Sequence, residues 1–318
     1  MSNYNFHIGI DVAKAAFDIV ILEQNRHRTF PHDKAGLVAA VKWLAVLDHP
    51  VVVLEATGGY EADISDALHA AGIAQTVINP RQGRDFARAK GLLAKTDKID
   101  ARVLAEYGKC MEVSLTTPTT EPQRRLRELT TRHRQLTKMI ATEKRHLEHT
   151  RDHLVKQDIR SLLRVLMARR DKIEQTITEH IQATDEFQQA ASLILSVPGI
   201  GPTTTAVLLA DLPELGTFNR KQVAKIAGVA PHNRESGAWR GKQITGGGRK
   251  RLRTGLYMAT MCAVRFNRPL RSFYNRLVAA GKPKMKALVA AMRKLLVILN
   301  TMIATGQPWQ DRPLPVAT

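Results

Sequence analysis

Cysteine is nearly missing from this 318-residue chain: Cys110 and Cys262 are the only two, too few for a disulfide framework or a cysteine-ligated zinc site. The histidines, His7, His32 and His49 among them, show no metal-ligand spacing, so a zinc centre is not expected from imidazoles either. No long apolar run is uninterrupted. The longest stretch, Ala287 to Ile303, is broken by Arg293 and Lys294 and has helical amphipathicity, which argues against a membrane span. Met1 to Ile10 has neither a basic leader nor an apolar segment of signal-peptide length, so the expected location is the cytoplasm.

Acidic residues are also scarce, but only locally. Residues 1–110 carry 13 basic and 13 acidic side chains, residues 111–190 carry 15 and 12, and residues 191–318 carry 20 and only 4. The whole chain has 48 Lys and Arg against 29 Asp and Glu, a net charge of +19. A charge-balanced body followed by a strongly basic segment predicts a catalytic part joined to a part that holds a polyanion. At 44% hydrophobic and 24% charged, the chain has ample apolar surface for more than one core, which excludes disorder and fibrous classes.

The pattern along residues 6–80 is one of alternating strands and helices. FHIGIDVAKAAFDIVIL (6–22) reads as two β-rich runs joined as an antiparallel hairpin, with Asp11 near the end of the first. A helix at 34–47 precedes PVVVLEA (50–56), a run suited to a buried strand that ends in Glu55. After Gly58-Gly59 come a helix near 61–71 and a strand at 73–80, giving an α/β layer domain. RQGRDFARAKG reads as a basic loop, followed by a helix whose Asp97 and Asp100, three residues apart, share one face.

PTTEP (118–122) reads as a boundary. Beyond it, Leu126, His133, Ile140, Leu147 and Leu154 recur every seven residues, and Ile159, Leu166, Ile173, His180 and Phe187 repeat the period. That predicts an antiparallel helical hairpin or an intermolecular coiled coil over 120–190, rather than a plain bundle. In SLILSVPGIGPTTTAVLLADL (192–212), Gly199 and Gly201 lie between two apolar helical segments, as in a helix-hairpin-helix that brings backbone amides to a phosphate. The stretch from Gly228 to Gly255 is rich in Gly and Arg. It lies between helical segments, reads as an ordered loop, and contains Ser236 with seven Lys or Arg from Arg234 to Arg253. A basic amphipathic helix, 284–303, and a proline-rich tail follow.

Asp11, Glu55, Asp97 and Asp100 form a four-carboxylate set of the kind that holds hard divalent cations. Two Mg²⁺ ions about 3.5 to 4 Å apart serve phosphodiester chemistry in such sites. Taken singly, each acid also reads as solvated or as a helix cap, Asp97 after Thr96 in particular. Asp11 and Glu55 resist that reading, because both follow apolar runs at strand ends, where an unsatisfied carboxylate is costly. Asp18, Glu61, Asp63, Asp66 and Glu106 read as surface residues. Ser236 lies among cations that could compensate phosphoryl charge, yet a Ser-Gly pair is ordinarily a turn, and Thr245 or Thr254 is equally eligible by composition.

Taken in order, GIDVAK with Asp11, LEATGGY with Glu55, KTDKIDA with Asp97 and Asp100, VPGIG and RESG resemble the DEDD transposases of insertion-sequence family one-hundred-ten and the related Piv-type DNA invertases. The resemblance covers almost the whole chain. It implies a RuvC-like, ribonuclease H fold for residues 1–115, a coiled-coil arm over 120–190, and a mainly α basic domain over 191–318 with a helix-hairpin-helix. It further implies that the four acids bind Mg²⁺, two ions per composite site, and that Ser236 forms a covalent link to DNA. Relatives pair target and donor DNA with an element-encoded bridge RNA and assemble as tetramers, dimers of dimers, in the bacterial cytoplasm. Arg234, Arg240, Lys242, Arg249, Lys250 and Arg251 are the expected phosphate contacts. A RuvC-like junction resolvase that hydrolyses DNA with metal-activated water is the alternative enzyme, and a non-enzymatic architectural protein is the alternative class.

Overall fold

A computed structural model of the chain describes residues 4–92, 96–232, 235–236, 239–240 and 244–311, with only the backbone described at 235–236 and 239–240. Two compact units emerge, residues 1–119 and 120–318.

The first unit is a five-stranded mixed sheet in the order β3-β2-β1-β4-β5. β1 (Phe6–Val12), β2 (Ala16–Ile21) and β3 (Arg26–Pro31) form an antiparallel meander, while β4 (Pro50–Glu55) and β5 (Ala74–Ile78) run parallel to β1. Strand alternation sorts the side chains between two faces. Ile8, Ile10 and Val12 of β1, with Val52 and Leu54 of β4, pack against Ala40 and Leu44 of α1 (Lys34–Leu44) and Ile64 and Leu68 of α2 (Glu61–Ala70). The opposite face, with Val53 and Ile78, packs against Leu104 and Tyr107 of α4 (Asp97–Cys110).

Two elements of this unit depart from the sequence expectations. β3 is an additional strand, exposed along most of its length, held by its ladder to β2 and by Asp18, which accepts bonds from Thr29 Oγ1 and pairs with His27 Nε2, both at 2.6 Å. The RQGRDFARAKG segment, expected as a loop, is mostly helix α3 (Pro80–Ala89). Asn79 and Gln82 form a reciprocal capping box and Pro80 begins the first turn, so the helix starts cleanly despite few apolar residues.

The second unit is mostly helical. α5 (Glu121–His149) and α6 (His153–Gln182) form a hairpin, each started by a side-chain cap: Thr120 for α5 and Asp152 for α6. Near the hairpin turn, Ile140 packs against Ile159 and Leu163. At its root, Leu126, Ile177 and Ile181 join the main core of the unit, so residues 120–190 are not a body separate from 191–318. α7 (Asp185–Leu195), α8 (Pro202–Asp211), α9 (Arg220–Ile226), α10 (Lys250–Phe266), α11 (Arg268–Ala279) and α12 (Lys284–Thr305) complete that core. Phe187, counted in the heptad series, belongs to α7, beyond the break that ends α6. Among the described residues α12 alone is long and apolar enough to cross a membrane, and its Leu288, Leu295, Leu296 and Leu299 are buried within this unit.

Candidate active site

The first unit gathers its acids at one edge by a simple route. Asp11 follows Gly9 by two residues, so both point to the α4 side of β1. A Cβ on Gly9 would stand 1.8 Å from Ala101 O and 2.5 Å from Ala105 N, so only glycine lets α4 lie this close to the strand. That contact brings the first turn of α4, with Asp97 and Asp100, to the Asp11 end of β1. Thr96 caps the helix, its Oγ1 accepting from Ile99 N at 3.3 Å, which leaves Asp97 free of the capping role its position suggested. Ile10 pairs with Leu54, so Asp11 and Glu55 are successive to paired residues at the ends of neighbouring parallel strands. Glu55 shares the α4 side with Val53, and its Oε2 lies 3.1 Å from where a Cβ on Gly83 would stand.

Crowding has an electrostatic consequence. The Asp11 carboxyl is pushed up to about 6, first by burial and then by the negative charges of Asp100, Asp97, Glu55 and Asp18. Asp18, read from sequence as a surface residue, lies directly across the ladder from Asp11 and belongs to this acidic neighbourhood. Its own charge is taken up by His27 and Thr29. Among the described residues no three His, Cys, Asp or Glu side chains stand close enough to enclose a metal ion. The donor set nevertheless fits a hard divalent cation in kind: all oxygen, all carboxylate, and with one member made reluctant to ionise by burial and by its like-charged neighbours.

In the second unit, Ser236 lies in β7 (Glu235–Ser236), paired antiparallel with β8 (Trp239–Arg240), Ser236 opposite Trp239. β6 (Pro231–His232) pairs with β9 (Ile244–Thr245). Arg234 and Lys242 lie outside the described residues, as does the Arg240 side chain. The root of this segment is a narrow neck. A Cβ on Gly228 would meet Gly247 O at 2.2 Å, one on Gly248 would meet Ile226 O at 2.3 Å, and Arg249 N donates to Ile226 O at 2.7 Å.

Arg249, expected on phosphate, is engaged elsewhere. Its two terminal nitrogens donate to the two oxygens of Glu214, each at 2.7 Å, and Nη1 also donates to Asp211 O at 2.9 Å. Burial works to raise the Glu214 carboxyl, but the Arg249 bonds and charge outweigh it and hold it below the usual range. Arg251 Nε lies 3.4 Å from Asp211 Oδ2, so it too has an anionic neighbour, whereas Lys250 is exposed. Gln123 and Arg127 of α5 donate to the carbonyls of Leu209 and Ala210, completing a polar lock around the end of α8. Sequence reading missed Glu214, Asp211 and Gln123, because nothing local marks their partners.

In the turn between α7 and α8, Gly199 has φ +94°, and a Cβ there would lie 2.6 Å from Ala263 Cα, so its Cα packs closely on α10. Gly201 is exposed, caps α8 without a side-chain bond, and has open space beside it.

A family model described as a transposase, of the DEDD type, matches residues 8–156, the stretch that carries the four acids, and proteins of that class cut DNA. A second, described as a transposase of the IS116/IS110/IS902 family, matches residues 191–275, and the chain belongs to that IS110-type family. Full-length relatives include the pilin gene-inverting proteins of Moraxella lacunata and Moraxella bovis, each 29% identical over 96% of this chain and 98% of the relative. A putative transposase of Sinorhizobium fredii is 26% identical over 89% of this chain and 86% of its own length.

Proposed function

We propose that this chain is the site-specific recombinase of an insertion sequence, cutting and rejoining DNA through a covalent link at Ser236, with Asp11, Glu55, Asp97 and Asp100 holding Mg²⁺. The observation that carries this reading is the crowding of Asp100, Asp97 and Glu55 around Asp11 at the ends of β1 and β4, where the Gly9 contact lets α4 approach. The β3-β2-β1-β4-β5 order supports the ribonuclease H-like assignment. When bound, Mg²⁺ compensates charge on the phosphoryl and leaving oxygens.

The serine step is a transesterification. The Ser236 hydroxyl gives up its proton as Oγ bonds to phosphorus, the bond from phosphorus to a sugar oxygen breaks, and that oxygen leaves with a proton. Attack by a sugar hydroxyl of the second DNA reverses the sequence and frees the serine, so phosphodiester bonds are conserved without an external energy source. Exposed Lys250 remains available for phosphate, and Arg234, Arg240 and Lys242 are assigned to the same role.

The basic second unit is suited to an element-encoded guide RNA as well as to DNA, and the chain acts in the cytoplasm, on nucleoid DNA. A stripe on α6 supports a homo-oligomer, a dimer of dimers. Val155, Leu162 and Val165 recur at heptad-like spacing on α6 and are 42 to 48% exposed, beside the Ile159 and Leu163 side that packs on α5.

The deciding experiment incubates the protein with Mg²⁺, labelled DNA carrying the ends of its parent element and RNA transcribed from the flanks, then compares wild type with Ser236→Ala on a denaturing gel. A slow, protease-sensitive DNA band in wild type alone is the expected result. Cleavage without that band, undiminished in the variant, would instead mean a metal-dependent hydrolase of the junction-resolvase kind.

A further inference from the structure

α10, α11 and α12 enclose an open cleft of about 610 Å³ that the chemistry above does not use. Half-buried Tyr257 and Tyr274 line it together with exposed Arg265, Arg271, Lys284 and Asn275, over an aliphatic and thioether floor. The corner between α10 and α11 is fixed: Asn267 Oδ1 accepts from Leu270 N at 3.1 Å, and Arg271 Nη1 donates to Arg265 O at 3.4 Å. From residue 236 to residue 310 the sequence contains no Asp or Glu. None of the three lining cations has a carboxylate partner among the described residues. Elsewhere on α12 the Lys294 ammonium is held below its usual range by burial and by the like charges of Arg220 and Arg276.

We infer that this cleft binds an unpaired nucleotide of a nucleic-acid strand, its phosphate on the Arg265, Arg271 and Lys284 rim and its base against the tyrosines. Three unpaired cations call for an anion. The two phenol rings and the apolar floor call for a flat, largely apolar partner as well, and a nucleotide supplies both. A duplex does not, because its bases are stacked on one another and only its phosphates reach the rim. The volume lies within the ~300 to 1,000 Å³ of small-ligand sites, enough for a single nucleotide. Asn275 offers a donor and an acceptor to the edge of a base. The inference needs only that the chain handles nucleic acid, and it is independent of the role given to Ser236.

The test is equilibrium binding by the full-length protein of a twelve-nucleotide strand carrying a central 2-aminopurine, as DNA, as RNA of the same sequence and as the DNA duplex, over a range of salt. Tyr274→Leu is expected to weaken single-strand binding about 10-fold, abolish the 2-aminopurine stacking signal, and leave duplex binding within about twofold. Whichever strand responds, DNA or RNA, identifies the source of the nucleotide. Arg271→Gln should weaken the same strand and lower its salt slope by somewhat less than about one. Tyr274→Trp, which keeps a stacking face, should restore the signal, and this guards against a folding defect in the leucine variant. Equal losses on strand and duplex, a loss from Arg271→Gln with none from Tyr274→Leu, or failure of the tryptophan to restore binding would each overturn the inference.

Discussion

Burial and the surrounding acids raise the Asp11 carboxyl, and this gives it a measurable signature. Its folded carboxyl titrates near 6 against an ordinary value of 3.8, so the folded state holds a proton that the unfolded chain releases. That stability is fully present below the ordinary value and is lost as pH rises through about 6, leaving the apo protein penalised at pH 7.5 by about 1 kcal/mol after solvent screening. Asp11→Asn removes the charge. In metal-free buffer at pH 7.5 the variant is expected to melt above wild type, and the difference should shrink toward pH 5. Adding Mg²⁺ should raise the wild-type melting temperature and leave the variant unmoved, while recombination by the variant is lost and its salt-sensitive DNA binding persists. A wild type indifferent to Mg²⁺ would remove the metal role from this cluster. The four acids could be picked out in the sequence because two of them end apolar strand runs and two share a helix face. Asp18 could not, since a strand residue facing another acid across a ladder looks the same in sequence as one facing water.

The helices and strands that escaped sequence reading have a common physical cause. β3 and α3 are built from polar residues and held by backbone ladders, caps and a few ion pairs, so neither carries an apolar period to betray it. The neck beneath Ser236 is hidden for a different reason: Glu214 and Arg249 are 35 positions apart, and an arginine in a basic run reads as a phosphate contact whatever it touches. The structure makes Arg249 a clamp on the root of the serine-bearing segment and Lys250 an open cation, which separates the two by experiment. Arg249→Gln should cost about 1 to 2 kcal/mol, the pair being partly exposed, and lower melting of the second unit by about 2 to 8 °C. It should leave DNA affinity within about twofold, because no phosphate contact is lost. Lys250→Gln should do the reverse, keeping the melting temperature and lowering the salt slope of DNA binding by about one. Glu214→Gln in the Arg249→Gln background should add little further loss, since the bidentate pair is already broken. The same pair sets an acid limit. The Glu214 carboxyl is held low in the fold, so its contribution is complete above the ordinary glutamate range and fades as pH falls through the lowered value.

Taken whole, the chain is divided by charge: residues 1–110 carry 13 basic and 13 acidic side chains, whereas residues 191–318, which include Ser236, carry 20 and 4. An oligomer is expected to form through the α5–α6 hairpin, the part of the second unit that carries exposed apolar side chains in series. Its root is spent in the core of the second unit through Leu126, Ile177 and Ile181, and one side of α6 is spent against α5 through Ile159 and Leu163. Val155, Leu162 and Val165 remain 42 to 48% exposed, and Leu154 at the start of α6 is 74% exposed. Apolar side chains at heptad spacing on a helix that already has one neighbour are expected to pair with the same stripe of a second copy, an isologous contact closed by a twofold axis. Leu162→Glu places a charge in that seam without touching the buried side. Light scattering coupled to size exclusion should show wild type as a dimer or larger and the variant as a monomer with unchanged helical content. Because the acids and Ser236 lie in different units, mixing experiments then discriminate further. If the catalytic groups come from different copies, a mixture of Asp11→Asn and Ser236→Ala proteins should recover recombination that neither supports alone, and Leu162→Glu in both should abolish that recovery. A monomeric wild type, or full recombination by the Leu162→Glu monomer, would mean that this stripe serves another partner and that each copy works alone.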